Sequence, residues 1–250
     1  MTDGVFELTY QSIGGPPWPI VLAAVRLEGF DPAWHVDQLD VWEQARAHGF
    51  TSTARRLGFV AGRVAARRAL AALDTVSRPE VCAGIVPDCL GAPMVGRTAL
   101  VPDVSITHND RLALALAFPR WLMAGVDLES VTAETTRLIR RTMTVAEDAA
   151  VVASGVDPAV GCTFVWTARE ALSKALRTGL SADLSLFEVG RISGTAGGLR
   201  AGYRRLPRFT AHGRLVGSTL VTLCLPAGGR LLVGADLVRP PRPRQQAVAP

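Results

Sequence analysis

Between Val104 and Leu128 the chain carries three short apolar runs separated by turn signals, and that pattern limits the fold more than any other feature. Val104-Ser-Ile-Thr-His108 is followed by the turn pair Asn109-Asp110, then by Leu112 to Ala117, and then by Trp121 to Leu128. Runs of this length with such turns between them predict an antiparallel meander, not parallel strands joined by crossover helices. Helical periodicity flanks it on both sides. From Pro32 to about Leu73 it gives an apolar face (Phe59, Val60, Val64, Ala65, Leu70) beside Arg55, Arg56, Arg63, Arg67 and Arg68, so one face is strongly basic. A solvated arginine face is the ordinary explanation of such a run. Thr132 to Ala153 and Thr163 to Arg177 are also helical, the latter with Thr163 as expected N-cap and Gly179 at its stop. Strands are expected at Ile20–Leu27 and, after the helices, at Phe187–Ile192, Gly198–Tyr203, Val216–Leu225 and Leu231–Leu237. The order, strand, helices, meander, helices and strands again, predicts an α+β protein.

A length of 250 residues lies between one domain and two, and 48% hydrophobic against 20% charged residues supplies a packed core. The expected division is 1–119, 120–239 and a disordered Pro-rich tail at 240–250. No apolar stretch reaches the ~18–20 residues of a membrane span. Met1 to Gln11 lacks a basic start and an apolar run, so a cytoplasmic location is expected. Cys82, Cys89, Cys162 and Cys224 show no zinc-ligand spacing and are expected to be buried thiols. A net charge of +5 favours anionic partners, and of the 27 basic residues only Lys174 is a lysine.

Three constellations can carry chemistry. In Gly125-Val-Asp-Leu-Glu129 strand alternation puts Asp127 and Glu129 on one side and Val126 and Leu128 on the other. Adjacent carboxylates repel, and a divalent cation offsets that cost; an acidic strand end in solvent is the bland alternative. In Trp166-Thr-Ala-Arg-Glu170-Ala-Leu-Ser-Lys174, Glu170 and Lys174 are four apart on one helix face. Alone they are an ordinary surface pair, but the pair contains the one lysine of an arginine-using chain. Thr107-His108 ends a strand just before a turn, where the imidazole can donate to a phosphate.

Together these motifs closely resemble the two signatures of the 4′-phosphopantetheinyl transferases, of the pseudodimeric class that activates polyketide synthases and nonribosomal peptide synthetases. The likeness extends from about residue 39 to 225. Val104-Ser-Ile-Thr-His108 resembles the family's strand ending in Ser-His, Gly91-Ala-Pro93 its Gly-Lys-Pro turn, and Arg55 to Leu70 its N-terminal arginine helix. Thr178-Gly-Leu-Ser and Leu186-Phe-Glu-Val189 resemble the segment after the second signature. Departures are Ala92 for lysine, Thr107 for serine and Arg169 for lysine.

The resemblance implies two pseudo-symmetric α/β subdomains joined near Pro119, with coenzyme A in the cleft between them. It implies transfer of the 4′-phosphopantetheine arm to a serine of an apo acyl or peptidyl carrier protein, with release of adenosine 3′,5′-bisphosphate. Asp127, Glu129 and Glu170 would hold Mg²⁺, with Mn²⁺ the alternative; Glu170 would take the serine proton and Lys174 would stabilise the leaving group. His108 with Arg63 and Arg55 would bind the 3′-phosphate, and Thr107 would be a secondary contact. The carrier protein would meet Thr135 to Glu147, where Leu138, Ile139 and Met143 stand beside Arg137, Arg140 and Arg141. No nucleic acid or membrane partner is expected, and the chain would be a monomer with an internal pseudo-twofold. Two rivals are a Mg²⁺-dependent exonuclease, whose opening Asp-x-Glu resembles Asp127-Leu-Glu129 but whose later aspartates are not evident, and a non-catalytic module binding coenzyme A or a nucleotide.

Overall fold

The computed structural model describes residues 3–73, 84–96 and 102–233. Cys82, the last residues of the strand expected at Leu231–Leu237, and the tail expected to be disordered at 240–250 lie outside the described residues.

Two five-stranded sheets form the body. The first has the order β12 (Gly229–Val233), β1 (Gly4–Ser12), β2 (Pro17–Arg26), β6 (Leu112–Phe118), β5 (Asp103–His108). The second runs β7 (Gly125–Ser130), β11 (Thr219–Pro226), β10 (Phe209–Val216), β9 (Gly198–Tyr203), β8 (Val189–Thr195). Between β2 and β5 come α1 (Val41–His48), α2 (Thr53–Ala72) and a small hairpin of β3 (Ile85–Pro87) with β4 (Pro93–Val95). Between β7 and β8 come α3 (Ala133–Arg140), α4 (Val145–Ser154) and α5 (Pro158–Ala175).

The sequence Leu-Ala-Leu-Ala-Leu-Ala-Phe of β6 explains how these layers stack. All seven residues are buried, so both faces of the strand are covered. Ala113, Ala115 and Ala117 share a core with Ala61, Ala65 and Ala69 of α2, small against small, which lets the helix lie close on the sheet. Leu112, Leu114, Leu116 and Phe118 point the other way and share a core with Val126 and Leu128 of β7 and Val221, Leu223 and Leu225 of β11. The outer face of the second sheet is covered by α5 through Phe164, Ala168, Ala171 and Leu172. The order of layers is therefore helix, sheet, sheet, helix. Truncating any one of these leucines to alanine costs about 2–5 kcal/mol.

The α+β class holds, but of the expected meander only β5 and β6 pair antiparallel; the third run is a 3-10 turn at Arg120–Leu122 and then β7, which leaves for the edge of the second sheet and pairs with β11. Several boundaries differ. The helix expected from Pro32 to Leu73 is two 3-10 turns followed by α1 and α2, and the one from Thr132 to Ala153 is α3 and α4. The strand expected to start at Ile20 starts at Pro17, and β1 and β10 were not expected. Val189–Thr195 and Thr219–Pro226 replace the strands read at Phe187–Ile192 and Val216–Leu225. The N-cap of α5 is Asp157, whose carboxylate accepts from Ala159 and Val160 N–H with Pro158 at the first helical position, whereas Thr163 is buried mid-helix. The last strand, β12, pairs with β1 in the first sheet, although it follows the whole second sheet in the chain. Among the described cysteines Cys162 and Cys224 are buried as expected, but Cys89 is exposed.

Candidate active site

The two sheets meet edge to edge at β5 and β7, and side chains on alternate residues of β5 close the seam. Ser105 Oγ accepts from Val126 N–H at 3.1 Å, Thr107 Oγ1 donates to Asp127 Oδ1 at 2.8 Å, and Asn109 Nδ2 donates to Ser130 Oγ at 3.1 Å. The other face of β5, with Ile106 and His108, looks toward α2. Adjacent residues Thr107 and His108 thus serve opposite sides of one strand.

Gly125, the first residue of β7, sets the approach of α5. A Cβ there would fall inside the Ala171 carbonyl oxygen and 2.7 Å from Ala175 N, so only glycine lets strand and helix touch. Burial of Phe164, Ala168, Ala171 and Leu172 leaves Glu170 and Lys174 at the seam. Lys174 Nζ lies 2.6 Å from Asp127 Oδ1, the oxygen that also accepts from Thr107. Asp127 is 5% exposed and has a charged and a neutral donor. Glu129 is half-buried, with Oε1 accepting from Ser130 N–H at 2.8 Å.

The three carboxylates feel one another. Burial pushes the Glu170 carboxyl above the ordinary value, and Asp127 and then Glu129 push it further, with Lys174 opposing. Burial likewise raises Glu129, helped by Asp127 and Asp110 and opposed by the Ser130 N–H. Excess negative charge in a partly desolvated seam favours a cation, and an all-oxygen set suits a hard divalent ion such as Mg²⁺. The donor chemistry fits. Among the described residues, however, no three His, Cys, Asp or Glu side chains converge on one point, and Asp127 Oδ1 is held by the ammonium of Lys174.

On the α2 side of β5 a pocket of about 410 Å³ is lined by Phe50, Arg55, Phe59, Arg63, Ile106 and His108. Arg63 is 8% exposed, stacks its guanidinium 4.9 Å above the Phe59 ring, and lies 3.3 Å from Glu43 Oε1 through a buried Nε that makes no aligned hydrogen bond. Burial lowers its pKa and Glu43 opposes that. Burial also lowers His108, and the Lys174 charge adds to it, against the Asn109 backbone and Asp127. The basic face of α2 is narrower than the sequence suggests. Arg67 binds Glu43 at 2.5 Å and Arg68 reaches Asp3 at 3.5 Å, which leaves Arg55 and Arg56 exposed and Arg63 at the pocket.

The structure therefore brings Asp127, Glu129, Glu170 and Lys174 together at the seam, and Arg55, Arg63 and His108 together beside α2. Thr107, expected as a secondary cofactor contact, donates its hydroxyl to Asp127 on the face of β5 opposite His108. Of the apolar residues expected to face a partner, Ile139 is buried and Met143 packs into the α5-side core; Leu138 remains exposed beside Arg137, Arg140 and Arg141.

A second pocket, of about 310 Å³, lies on the Lys174 side of the seam, with Ala92, Pro93, Ile106 and Arg177 in its wall. Ala92 contributes a methyl there and donates its N–H to Asp88 Oδ1 at 2.9 Å. Arg177 crosses from the end of α5 to the first half of the chain, donating to Asp88 Oδ2 at 2.9 Å, Asp103 Oδ2 at 2.7 Å and Pro93 O at 3.0 Å. Its φ is 61°, the left-handed conformation that a helix end usually gives to glycine. Thr178 N–H to Ser173 O and Arg177 N–H to Lys174 O, both 3.0 Å, complete that helix stop, two residues before the expected Gly179.

Four functional or supporting residues escaped the sequence reading. Arg177 and Asp103 gave no local signal, since their partners are 74 residues apart. Glu43 and Glu147 did: Asp40-x-x-Glu43 and Thr144-x-x-Glu147 are capping boxes, and both glutamates are fully buried. Glu147 binds Arg169 through Nε at 2.9 Å and through a second nitrogen, so Arg169 braces α4 against α5 instead of facing a ligand.

Residues 123–224 match the family model of the 4′-phosphopantetheinyl transferase superfamily. That span starts just ahead of β7 and ends within β11, so it encloses Asp127, Glu129, Glu170 and Lys174 and stops short of the α2 pocket. Over that span, less than half of the chain, it is similar to a superfamily of transferases, and the match favours neither the exonuclease nor the non-catalytic reading. No curated protein matches the chain. Among the described residues no helix is long and apolar enough to cross a membrane.

Proposed function

We propose that this chain transfers the 4′-phosphopantetheine arm of coenzyme A to a serine of an apo acyl or peptidyl carrier protein of a polyketide or nonribosomal peptide synthase, releasing adenosine 3′,5′-bisphosphate. The observation that carries the reading is the seam itself. One strand, β5, divides a phosphate-ready pocket (Arg55, Arg63, His108) from a carboxylate–ammonium cluster (Asp127, Glu129, Glu170, Lys174). A substrate with a monoester phosphate at one end and a diphosphate some way along fits that separation.

In this reading Arg55, Arg63 and His108 hold the 3′-phosphate by charge-assisted hydrogen bonds. Glu170, with its raised pKa, takes the proton of the carrier serine as the serine oxygen attacks the pantetheine-bearing phosphorus. The bond to the bridging oxygen breaks, and Lys174 meets the charge that gathers on the departing bisphosphate. Asp127, Glu129 and Glu170 are the residues that would hold Mg²⁺ or Mn²⁺. When bound, the ion neutralises diphosphate charge. Thr107 keeps Asp127 oriented for either partner. Leu138 with Arg137, Arg140 and Arg141 offers an apolar and basic face to an acidic carrier helix. The two halves of one chain supply both sides of the cleft, so a monomer suffices, and a cytoplasmic setting goes with such substrates.

The test is intact-mass measurement of several apo carriers, acyl and peptidyl, after incubation with the protein, coenzyme A and Mg²⁺. A gain of one phosphopantetheine per carrier is expected, and loss of at least about 10²-fold in kcat with an unchanged melting curve in Glu170→Gln. Absence of any mass gain, or normal turnover by that variant, refutes the respective assignment.

A further inference from the structure

Two glycines of α2, Gly58 and Gly62, lie one turn apart against β5. A Cβ at Gly58 would stand 2.5 Å from His108 Nδ1 and 2.6 Å from its Cε1; one at Gly62 would stand 2.9 Å from Ile106 Cγ2. Glycine inside a helix is unfavourable compared with alanine, and α2 otherwise uses alanine freely, so these two positions give up helix propensity for space. The space is used differently. At Gly62 the neighbour is the tip of an aliphatic side chain, which can yield. At Gly58 it is an imidazole ring seated directly on helix backbone, in a pocket that Arg55 and Arg63 of the same helix also line.

We propose that Gly58 is a positioning residue that sets the specificity of this pocket. By offering bare backbone it fixes where the His108 ring lies, so that the imidazole N–H and the Arg55 and Arg63 guanidiniums converge on one phosphate monoester. Without that seat the ring is driven outward and the pocket keeps its two cations but loses the third donor. The identity of the ligand as a 3′-phosphorylated adenosine rests on the proposed function; the seating of His108 by Gly58 does not.

Equilibrium binding tests this directly, with adenosine 3′,5′-bisphosphate and adenosine 5′-phosphate as probes on the full chain. Wild type is expected to prefer the bisphosphate. Gly58→Ala should weaken it by about 10- to 100-fold, the loss that accompanies one hydrogen bond to a charged group, and leave 5′-phosphate binding unchanged. His108→Ala should lose the same preference, and adding Gly58→Ala to it should have no further effect. Gly62→Ala should retain the preference. A Gly58→Ala protein that binds like wild type, that loses both probes equally, or that still acts in the His108→Ala background overturns the proposal. If Gly58→Ala alone fails to fold, a folded Gly58→Ala/His108→Ala double variant upholds the contact and an unfolded one refutes it. Wild type that binds the bisphosphate but transfers nothing refutes the proposed function and leaves the seating of His108 intact.

Discussion

Each half of the molecule buries one glutamate at the third position of a short capped helix and meets it with arginine from its long helix. In the second half Glu147 receives two nitrogens of Arg169 and the N–H of Val189, and Arg169 spends its remaining nitrogen on Thr142 O at 3.1 Å. That cluster is closed: Arg169 is 1% exposed, and one cation faces one anion. In the first half Glu43 serves two arginines, Arg67 through paired contacts and Arg63 at 3.3 Å. Arg67 takes the paired contacts, the Asp40 carboxylate adds to the field at Arg63, and it is Arg63 that opens on the pocket. The same brace opens on a pocket in one half and is closed in the other. Where the second half closes its arginine, the next residue, Glu170, and Lys174 one turn on face the seam.

The contrast can be broken by mutation. Glu147→Ala strands a wholly buried guanidinium and should cost about 3–5 kcal/mol in urea unfolding. Glu43→Ala leaves Arg63 and Arg67 within reach of solvent and should cost less, about 1–3 kcal/mol. Equal losses would show that the two clusters are the same kind of object. A next smaller effect tests the arginine that opens on the pocket: Arg63→Ala should weaken adenosine 3′,5′-bisphosphate by about 1.5–3 kcal/mol in calorimetry with little change in melting temperature, and Arg63→Lys should recover part of it.

The smallest effect concerns the carboxylates. Because Glu129 and Glu170 have raised pKa values in the fold, the native state keeps their protons to higher pH than the unfolded chain does. These groups therefore subtract stability as pH rises from the ordinary carboxylate range through their folded values. Mg²⁺ should reverse that penalty, raising stability at pH 8 by about 1.4 kcal/mol at a tenfold excess over Kd and by less at pH 5, where protons compete. A melting temperature indifferent to Mg²⁺ at both pH values would remove the ion from this cluster.

Much of the seam was legible in the sequence. Alternation in Val-Asp-Leu-Glu sets two carboxylates against two core residues, and spacing by four sets Glu170 beside Lys174, so local geometry alone defines that cluster. The Leu-Ala repeat of β6 marks a strand by its apolar run, but that both of its faces are buried, with the alanines on the helix side, comes from the structure. What stayed hidden depends on partners far away in the chain. Thr107 and His108 look like a unit until β7 and α2 claim opposite faces of the strand. The arginines of α2 look alike until Asp3 and Glu43 take Arg68 and Arg67. The β12 strand joins β1 at Leu8↔Val233, a pairing for which no local pattern exists.

Arg177 carries one more consequence. A left-handed arginine costs about 1–2 kcal/mol over glycine in the same place, and here it ties the first residues of β4 and β5, Pro93 and Asp103, and the Asp88 turn to the end of α5. The two halves are thereby riveted at one corner of the pocket that Lys174 also lines. The wall bearing Ala92 and Pro93 and the helix bearing the ammonium are joined through that guanidinium, so its replacement would release both at once.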